Sequence, residues 1–474
     1  MSDIQVKPLW SEFSYKPHQI TAVEWMVNRE SMLPSGGILC DEMGLGKTIE
    51  VLGLIKSSKV SNTLIIAPVA VLDQWASTAI KSSITVMRPK SSKMYHSWEV
   101  EGPNKFMASK IYLIGYESAL RKRNLLSTIS WDRIICDEAH RLASANSYFT
   151  LVNQLVSNSI WLLSATPIVN GMKDLKHLFE LLRLDDAEHV VNDYEKLSVA
   201  MKQCVLARSM DQLRASIPDA PPKPSIETRR IPFLDEDEAE FYRGITGGIV
   251  KKWKALEADA AGTLQRLQLF MKLRQLSLHP QVYIESRKNA LGANYKRDDW
   301  VGSSTKFDAI RATIEGQIGE EGVTPHKWII FCHFLPEMKL LESMLKAQEW
   351  CRNVYVYNGS KNHDERAKII ENSHIPLPSS KQTDVILVQL QSGGTGLNLQ
   401  HFDRIIFTGP WWTSALMEQA IGRAVRIGQK EVVKVYNFIL EEEDVINIDA
   451  VIREKAEEKG CICKQVLELA TNTV

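Results

Sequence analysis

The feature that most constrains this chain is a pair of series of short apolar runs, separated by stretches with helical spacing. The first series is Ile38–Cys40, Leu64–Ala67, Ile111–Ile114, Ile134–Cys136 and Trp161–Leu163. The second is Trp328–Phe331, Val354–Tyr357, Val385–Val388, Ile405–Phe407 and Val432–Val435. Parallel strands cannot be joined by a tight turn, so strands alternating with helices predict a parallel sheet with crossover helices. Two such series predict two α/β lobes, within the two to four domains that 474 residues allow. Between them, Pro218-Asp-Ala-Pro-Pro-Lys-Pro224 is a break that no helix or central strand could cross. An acidic run, Asp235–Glu238, and a helical stretch with Leu264, Leu267, Phe270, Leu273 and Leu276 follow; residues 369–384 read as a loop. The expected organisation is a first lobe over 1–205, a proline-rich linker and helical region over 206–300, and a second lobe over 301–440. A C-terminal helical segment, 441–474, is expected to pack back on the lobes.

Charge excludes a global pull toward nucleic acid, because Lys+Arg and Asp+Glu are equal at 57 each. Any such binding must come from local patches. One candidate is 241–300, with 11 Lys/Arg against 5 Asp/Glu; another is Arg121-Lys122-Arg123. On charge alone a solvated helical face is the better explanation of the first, and ordinary surface charge explains the second nearly as well as a DNA grip. The opening residues, Met1-Ser2-Asp3-Ile4-Gln5, lack a secretory profile, and no apolar run approaches the ~20 residues of a membrane span. Seven scattered cysteines point to a reducing compartment, and Cys461-x-Cys463 lacks the second pair that a zinc site needs.

Chemistry concentrates after the strands. Ile38–Cys40 runs into Asp41-Glu-Met43-Gly44-Leu45-Gly46-Lys47-Thr48-Ile49. A strand, a glycine turn and a helix start form a phosphate cradle: backbone N–H groups converge, lysine adds a charge, and a hydroxyl can reach magnesium. Asp41 stands where the usual loop has glycine, so this stretch alone also fits a plain turn. Asp137-Glu138 ends another strand and pairs a carboxylate for magnesium with one to activate water, or else caps a helix. Ser164 and Thr166 end a third strand, where hydroxyls could sense a terminal phosphate, although such residues are common in turns. Arg423 and Arg426, three apart, predict one helix face aiming two guanidiniums at an anion, with surface ion pairs as the alternative. Gln391-Ser-Gly-Gly394-Thr-Gly396 follows a strand and lets backbone approach a ligand, or serves as a flexible turn.

Taken in order, the phosphate loop, Asp137-Glu-Ala-His140, Ser164-Ala-Thr-Pro167, the glycine segment and Gln419-Ala-Ile-Gly-Arg-Ala-Val-Arg426 resemble the SWI/SNF-type ATPases of helicase superfamily two. Asp41 fits the form of the loop in that family. Lys16-Pro-His-Gln19, Gln74-Trp75, Gly115-Tyr-Glu117, Leu273-Arg-Gln275 with His279-Pro280, and Lys327–Phe334 extend the resemblance over roughly 13–440. It implies two RecA-like lobes with a helical insertion and an inter-lobe ATP site. Gln19, Met43, Gly44, Leu45, Gly46, Lys47, Thr48 and Ile49 would bind nucleotide, and Thr48 and Asp137 magnesium. Lys47, Asp137, Glu138, Arg423 and Arg426 would be catalytic; Ser164, Thr166, Gly394, Gly396 and Gln419 would couple nucleotide state to motion.

The expected function is ATP-driven translocation on double-stranded DNA without sequence preference, remodelling nucleosomes or transcription and repair complexes. A separate protein would supply targeting. The setting would be a nucleus or another intracellular DNA-containing compartment, a viral factory included, with no secretion and no membrane. Alternatives are a strand-separating DNA or RNA helicase, or an ATP-dependent interaction switch.

Overall fold

The computed structural model describes residues 5–470 apart from 59, 61, 90–97, 102–108, 257–262, 319–324, 379–380 and 391–396. The chain divides into two compact units. The first is Met1–Ala220 together with the chain from Glu458; the second is Pro221–Glu457.

The first unit is built on strands β1 (Gly36–Leu39), β2 (Asn62–Ala67), β3 (Thr85–Pro89), β4 (Trp98–Glu101), β5 (Lys110–Gly115), β6 (Trp131–Asp137), β7 (Ser157–Leu163) and β8 (Val205–Leu206). Their order is β4-β3-β5-β2-β6-β7-β1-β8, with every pair parallel except β3–β4. Side chains alternate across the pleat, so each central strand feeds two cores. Ile38, Leu64, Ile134 and Leu162 enter one, and Leu39, Ile65, Ile135 and Trp161 the other. That two-sided burial is why these strands read as continuous apolar runs. Cys463, Val466 and Ala470 complete the first core. One polar tie crosses the second. Arg133, fully buried on β6, pairs with Glu30 at the end of the helix Pro17–Arg29, and the Trp161 indole donates to the same carboxylate at 3.0 Å.

The second unit contains β9 (Ser225–Pro232), β10 (Trp328–Cys332), β11 (Cys351–Tyr357), β12 (Thr383–Gln389), β13 (Arg404–Phe407) and β14 (Lys434–Glu441), all parallel, in the order β11-β12-β10-β13-β14-β9. Ile329, Phe331, Ile386 and Ile405 face one core; Trp328, Ile330, Val385 and Ile406 face the other. The helices Glu236–Leu256, Thr263–Leu278 and Pro280–Leu291 belong to this unit. Leu273 and Ile249 pack there with Ile448 and Ile452. Among the described residues, no helix is long and apolar enough to cross a membrane.

Three expectations need correction. The run Val432–Val435 only touches a strand that extends from Lys434 to Glu441, because its apolar end continues through Phe438, Ile439 and Leu440. The loop of 369–384 is shorter at both ends: the helix His363–Ser373 is capped by Asn362 and runs to 373, and β12 starts at Thr383. The proline-rich break is followed at once by β9, a largely exposed edge strand whose Glu227, Arg229 and Arg230 hide it from an apolar reading.

His279 caps the helix Pro280–Leu291 by accepting from the Gln281 N–H at Nδ1 over 3.0 Å, with its ring 4.8 Å from that of Phe307. Burial pushes its pKa down to about 4, against about 6.5 when unfolded. Protonation would also remove the cap acceptor. Stability from this group is therefore complete above pH about 6.5 and is lost as pH falls toward about 4, by about 3 kcal/mol in all. Urea unfolding at pH 7.5 and 5 should show a larger acid loss for the native chain than for His279→Asn, which keeps a capping group that does not titrate.

Candidate nucleotide site

Parallel register sets the site. Leu39 on β1 lies opposite Leu163 on β7, and Leu163 opposite Asp137 on β6. Three neighbouring strands thus end in one row, and their C-terminal loops carry the phosphate loop, Asp137-Glu138 and Ser164–Pro167. Ligands of parallel α/β sheets bind at such an edge.

Gly44 and Gly46 adopt φ of 94° and 101°, the left-handed region, and the helix Lys47–Ser57 begins directly behind them without a side-chain cap. Among the described residues the N–H groups of Gly46, Lys47 and Thr48 meet no intramolecular acceptor, so they stay available to an anion at the positive end of the helix dipole. The Lys47 ammonium reaches across the loop to the Asp41 carbonyl at 2.6 Å. Leu45 is buried, and its carbonyl accepts from His18 Nε2 at 3.0 Å and from Gln19 Nε2 at 3.1 Å. Gln19 also accepts from the Lys16 N–H at 3.0 Å, so its carboxamide is fixed at both ends beside the loop. Met43, Thr48 and Ile49 are half-buried around it.

Asp41 is not a glycine position in disguise. The residues needing positive φ are Gly44 and Gly46, whereas Asp41 does not adopt it and has its whole side chain buried against Arg208. Arg208 was not foreseen, because 167 residues separate it from Asp41 and only the strand β8 just before it marks the place.

At the end of β6, the two Asp137 oxygens accept from the Trp75 indole at 2.9 Å and the Glu138 N–H at 3.0 Å. Burial, and then the charge of Glu138, pushes Asp137 up to about 6. Glu138 sits at φ 53°, a costly conformation for a residue other than glycine, and its carboxylate lies 3.3 Å from His140 Nδ1. Tyr116 is buried and donates to the Asp137 carbonyl at 2.8 Å. The family resemblance marks Trp75 and Tyr116 but not these bonds. Ser164 and Thr166 are buried; the Ser164 hydroxyl accepts from the Thr166 N–H at 3.2 Å. Asp174, also unforeseen, accepts from the Val169 and Asn170 N–H groups at 2.8 and 2.6 Å and orders the chain beyond.

In the second unit, described by itself, Arg423 and Arg426 do not share a helix face. The helix Ser414–Ile421 ends at Gly422; Arg423 lies in the turn after it and Arg426 in the irregular stretch beyond. Three-residue spacing put them on one face only if the helix continued. Arg423 is 2% exposed. Arg426 donates to the Gly422 carbonyl at 3.1 Å and to the Leu397 carbonyl at 2.9 Å, and burial lowers its pKa. Gln419 is buried on the same helix. Gly394 and Gly396 lie outside the described residues.

A model of the SNF2-related domain family matches residues 18–282, more than half the chain. The chain belongs to the SNF2-related family. A helicase conserved C-terminal domain matches residues 305–428, so this SNF2-related protein carries both domains of a helicase-like ATPase. It is 26% identical to the Probable global transactivator of Orgyia pseudotsugata multicapsid polyhedrosis virus over 90% of this chain and 87% of that protein. It is also 26% identical to the ISWI chromatin-remodeling complex ATPase ISW2 of Saccharomyces cerevisiae, over 96% of this chain but only 41% of the yeast protein. A Sulfolobus solfataricus SWI2/SNF2 ATPase core, solved in complex with dsDNA, aligns over 98% of this chain and 96% of its own, at 22% identity and a TM-score of 0.42.

The loop geometry makes Gly46 unforgiving. A Cβ there would stand 2.6 Å from Gln19 Nε2, at a φ of 101° that side chains avoid. Gly46→Ala should destabilise the first unit by about 1–3 kcal/mol, read as a lowered thermal midpoint. Gly244→Ala, within the helix Glu236–Leu256 where an added Cβ meets nothing, should instead stabilise by about 0.5–1 kcal/mol.

Proposed function

We propose that this SNF2-related protein hydrolyses ATP and translocates on double-stranded DNA, remodelling protein–DNA complexes. The observation that carries the reading is the alignment of the phosphate loop, Asp137-Glu138 and Ser164–Thr166 on one sheet edge, at the ends of three registered strands. The open N–H groups of Gly46, Lys47 and Thr48 suit β- and γ-phosphates, and Lys47 would exchange the Asp41 carbonyl for a phosphate oxygen. Thr48 and Asp137 present one hydroxyl and one carboxylate, which suits magnesium, an ion that takes few protein ligands beside phosphate oxygens. Magnesium would neutralise charge on those oxygens.

Glu138 is the group we assign to orienting and deprotonating the attacking water; its strained backbone aims the carboxylate, which lies 3.3 Å from His140 Nδ1. Gln19 would read the adenine base with its carboxamide. Arg423 and Arg426, the former nearly fully buried, would meet the charge developing on the transferring phosphoryl, an effect worth roughly 10³–10⁵ in rate. Ser164, Thr166, Gly394, Gly396 and Gln419 would pass the loss of that phosphate to the second lobe. DNA would be held mainly through phosphates, giving sequence-tolerant and salt-sensitive binding. The chromatin-remodelling and viral relatives support action on chromatin or on viral DNA, in a nucleus or viral factory, with targeting from a partner protein.

ATP turnover measured with duplex, single-stranded and no nucleic acid, beside triplex displacement and strand separation, tests the reading. Duplex stimulation with triplex displacement is expected. Strand separation without triplex displacement would establish a helicase instead, and turnover indifferent to nucleic acid a switch. Glu138→Gln should retain nucleotide affinity while turnover falls by about 10²–10⁴; near-normal turnover would remove Glu138 from the base role.

A further inference from the structure

The phosphate loop is bound, residue by residue, to the segment that leaves the first unit. The Cys40 N–H donates to the Leu206 carbonyl at 2.7 Å and the Glu42 N–H to the Arg208 carbonyl at 2.9 Å. The Met210 N–H donates to the Glu42 carboxylate at 2.6 Å. At the centre, Arg208 takes both oxygens of Asp41 in a bidentate pair, with Nε to Oδ1 at 3.0 Å. The same guanidinium donates to Glu50 at 3.0 Å, on the helix behind the loop, and to the His18 carbonyl at 2.6 Å, next to Gln19.

Asp41 and Glu50 are both 0% exposed and the Arg208 side chain is 10% exposed. Burial, and then the charge of Asp41, raises the pKa of Glu50 well above the carboxylic-acid norm. One arginine thus fixes three walls of the nucleotide site at once: the loop, the helix it opens, and the turn that presents Gln19. Its own backbone lies on the chain that runs through the helix Met210–Leu213 toward Pro221, where the second unit begins.

We propose that Arg208 is a positioning residue that couples the phosphate loop to this exit segment, so that nucleotide on the loop orders residues 206–213. This rests on the nucleotide reading of the loop. Coupling of this kind is reciprocal: whatever disorders the segment weakens nucleotide binding by the same factor. A planar fork is needed to hold two Asp41 oxygens, Glu50 and the His18 carbonyl together, and an ammonium cannot replace it.

Amide hydrogen exchange on the full chain, with and without magnesium and a nonhydrolysable ATP analogue, is the test. In the native protein the analogue should slow exchange both at 43–50 and at 206–213. In Arg208→Lys, which keeps the buried charge, protection should persist at 43–50 but disappear at 206–213. KM for ATP should rise about tenfold with kcat changed less than about threefold, as lost ground-state positioning requires. Asp41→Asn, which keeps the shape and one acceptor, should move the same readouts in the same direction, so a variant that misfolds does not decide the matter. Native protection confined to 43–50, or protection at 206–213 equal in Arg208→Lys, overturns the coupling while leaving the nucleotide site standing. No protection anywhere in the native chain overturns the nucleotide reading and the coupling with it.

Discussion

The chemistry of this chain depends on the backbone register of three parallel strands. Because Leu39, Leu163 and Asp137 stand in one hydrogen-bonded row, the loops that follow emerge side by side. A slip of one residue would turn every side chain on the slipped strand to the opposite face. Slippage is opposed from both sides, since alternate residues of β1, β6 and β7 are buried in two separate cores. Arg133 adds a polar lock. Its charge is 0% exposed and satisfied by Glu30 and by Thr63 at 3.2 Å, so displacement of β6 would strand a buried cation, at several kcal/mol.

Buried ion pairs recur away from β6 as well. Arg208 with Asp41 serves the phosphate loop, and Lys306 with Asp449 serves the second unit, where Asp449 also accepts from Ser277 Oγ and the Leu440 N–H, each at 3.0 Å. Such pairs add little net stability over apolar packing, because desolvation offsets most of their attraction. Their value is geometric. Directional bonds fix a loop that has no ladder of its own, and that explains why an aspartate can occupy a place where related loops use glycine: position 41 needs an anchor, not a positive φ.

Most of the fold was legible because strands buried on both faces are apolar end to end, and that property belongs to a local stretch of sequence. The same logic explains what was missed. β8 has two residues, and β9 is an edge strand with a charged, exposed face. For the site, strand ends followed by Gly44-x-Gly46-Lys47 and Asp137-Glu138 declare their chemistry locally. Arg208 could not, since nothing near it names a partner 167 residues away. The Arg423–Arg426 reading failed differently: spacing predicts a shared face only on a continuous helix, and Gly422 ends this one.

Two adjacent carboxylates can hold different roles because their surroundings differ. Both oxygens of Asp137 are held, one by an indole and one by a backbone N–H, and its pKa is nevertheless raised to about 6, by burial first and by Glu138 second. Neutral donors and the nearby Lys47 therefore leave the pair short of positive charge. A divalent cation beside Asp137 would remove that deficit and, in doing so, favour the ionised form of Asp137. Glu138, on strained backbone, has its carboxylate 3.3 Å from His140 Nδ1. The proposed order of roles accords with these surroundings: the carboxylate fixed by two donors suits a metal, and its neighbour beside the imidazole suits water.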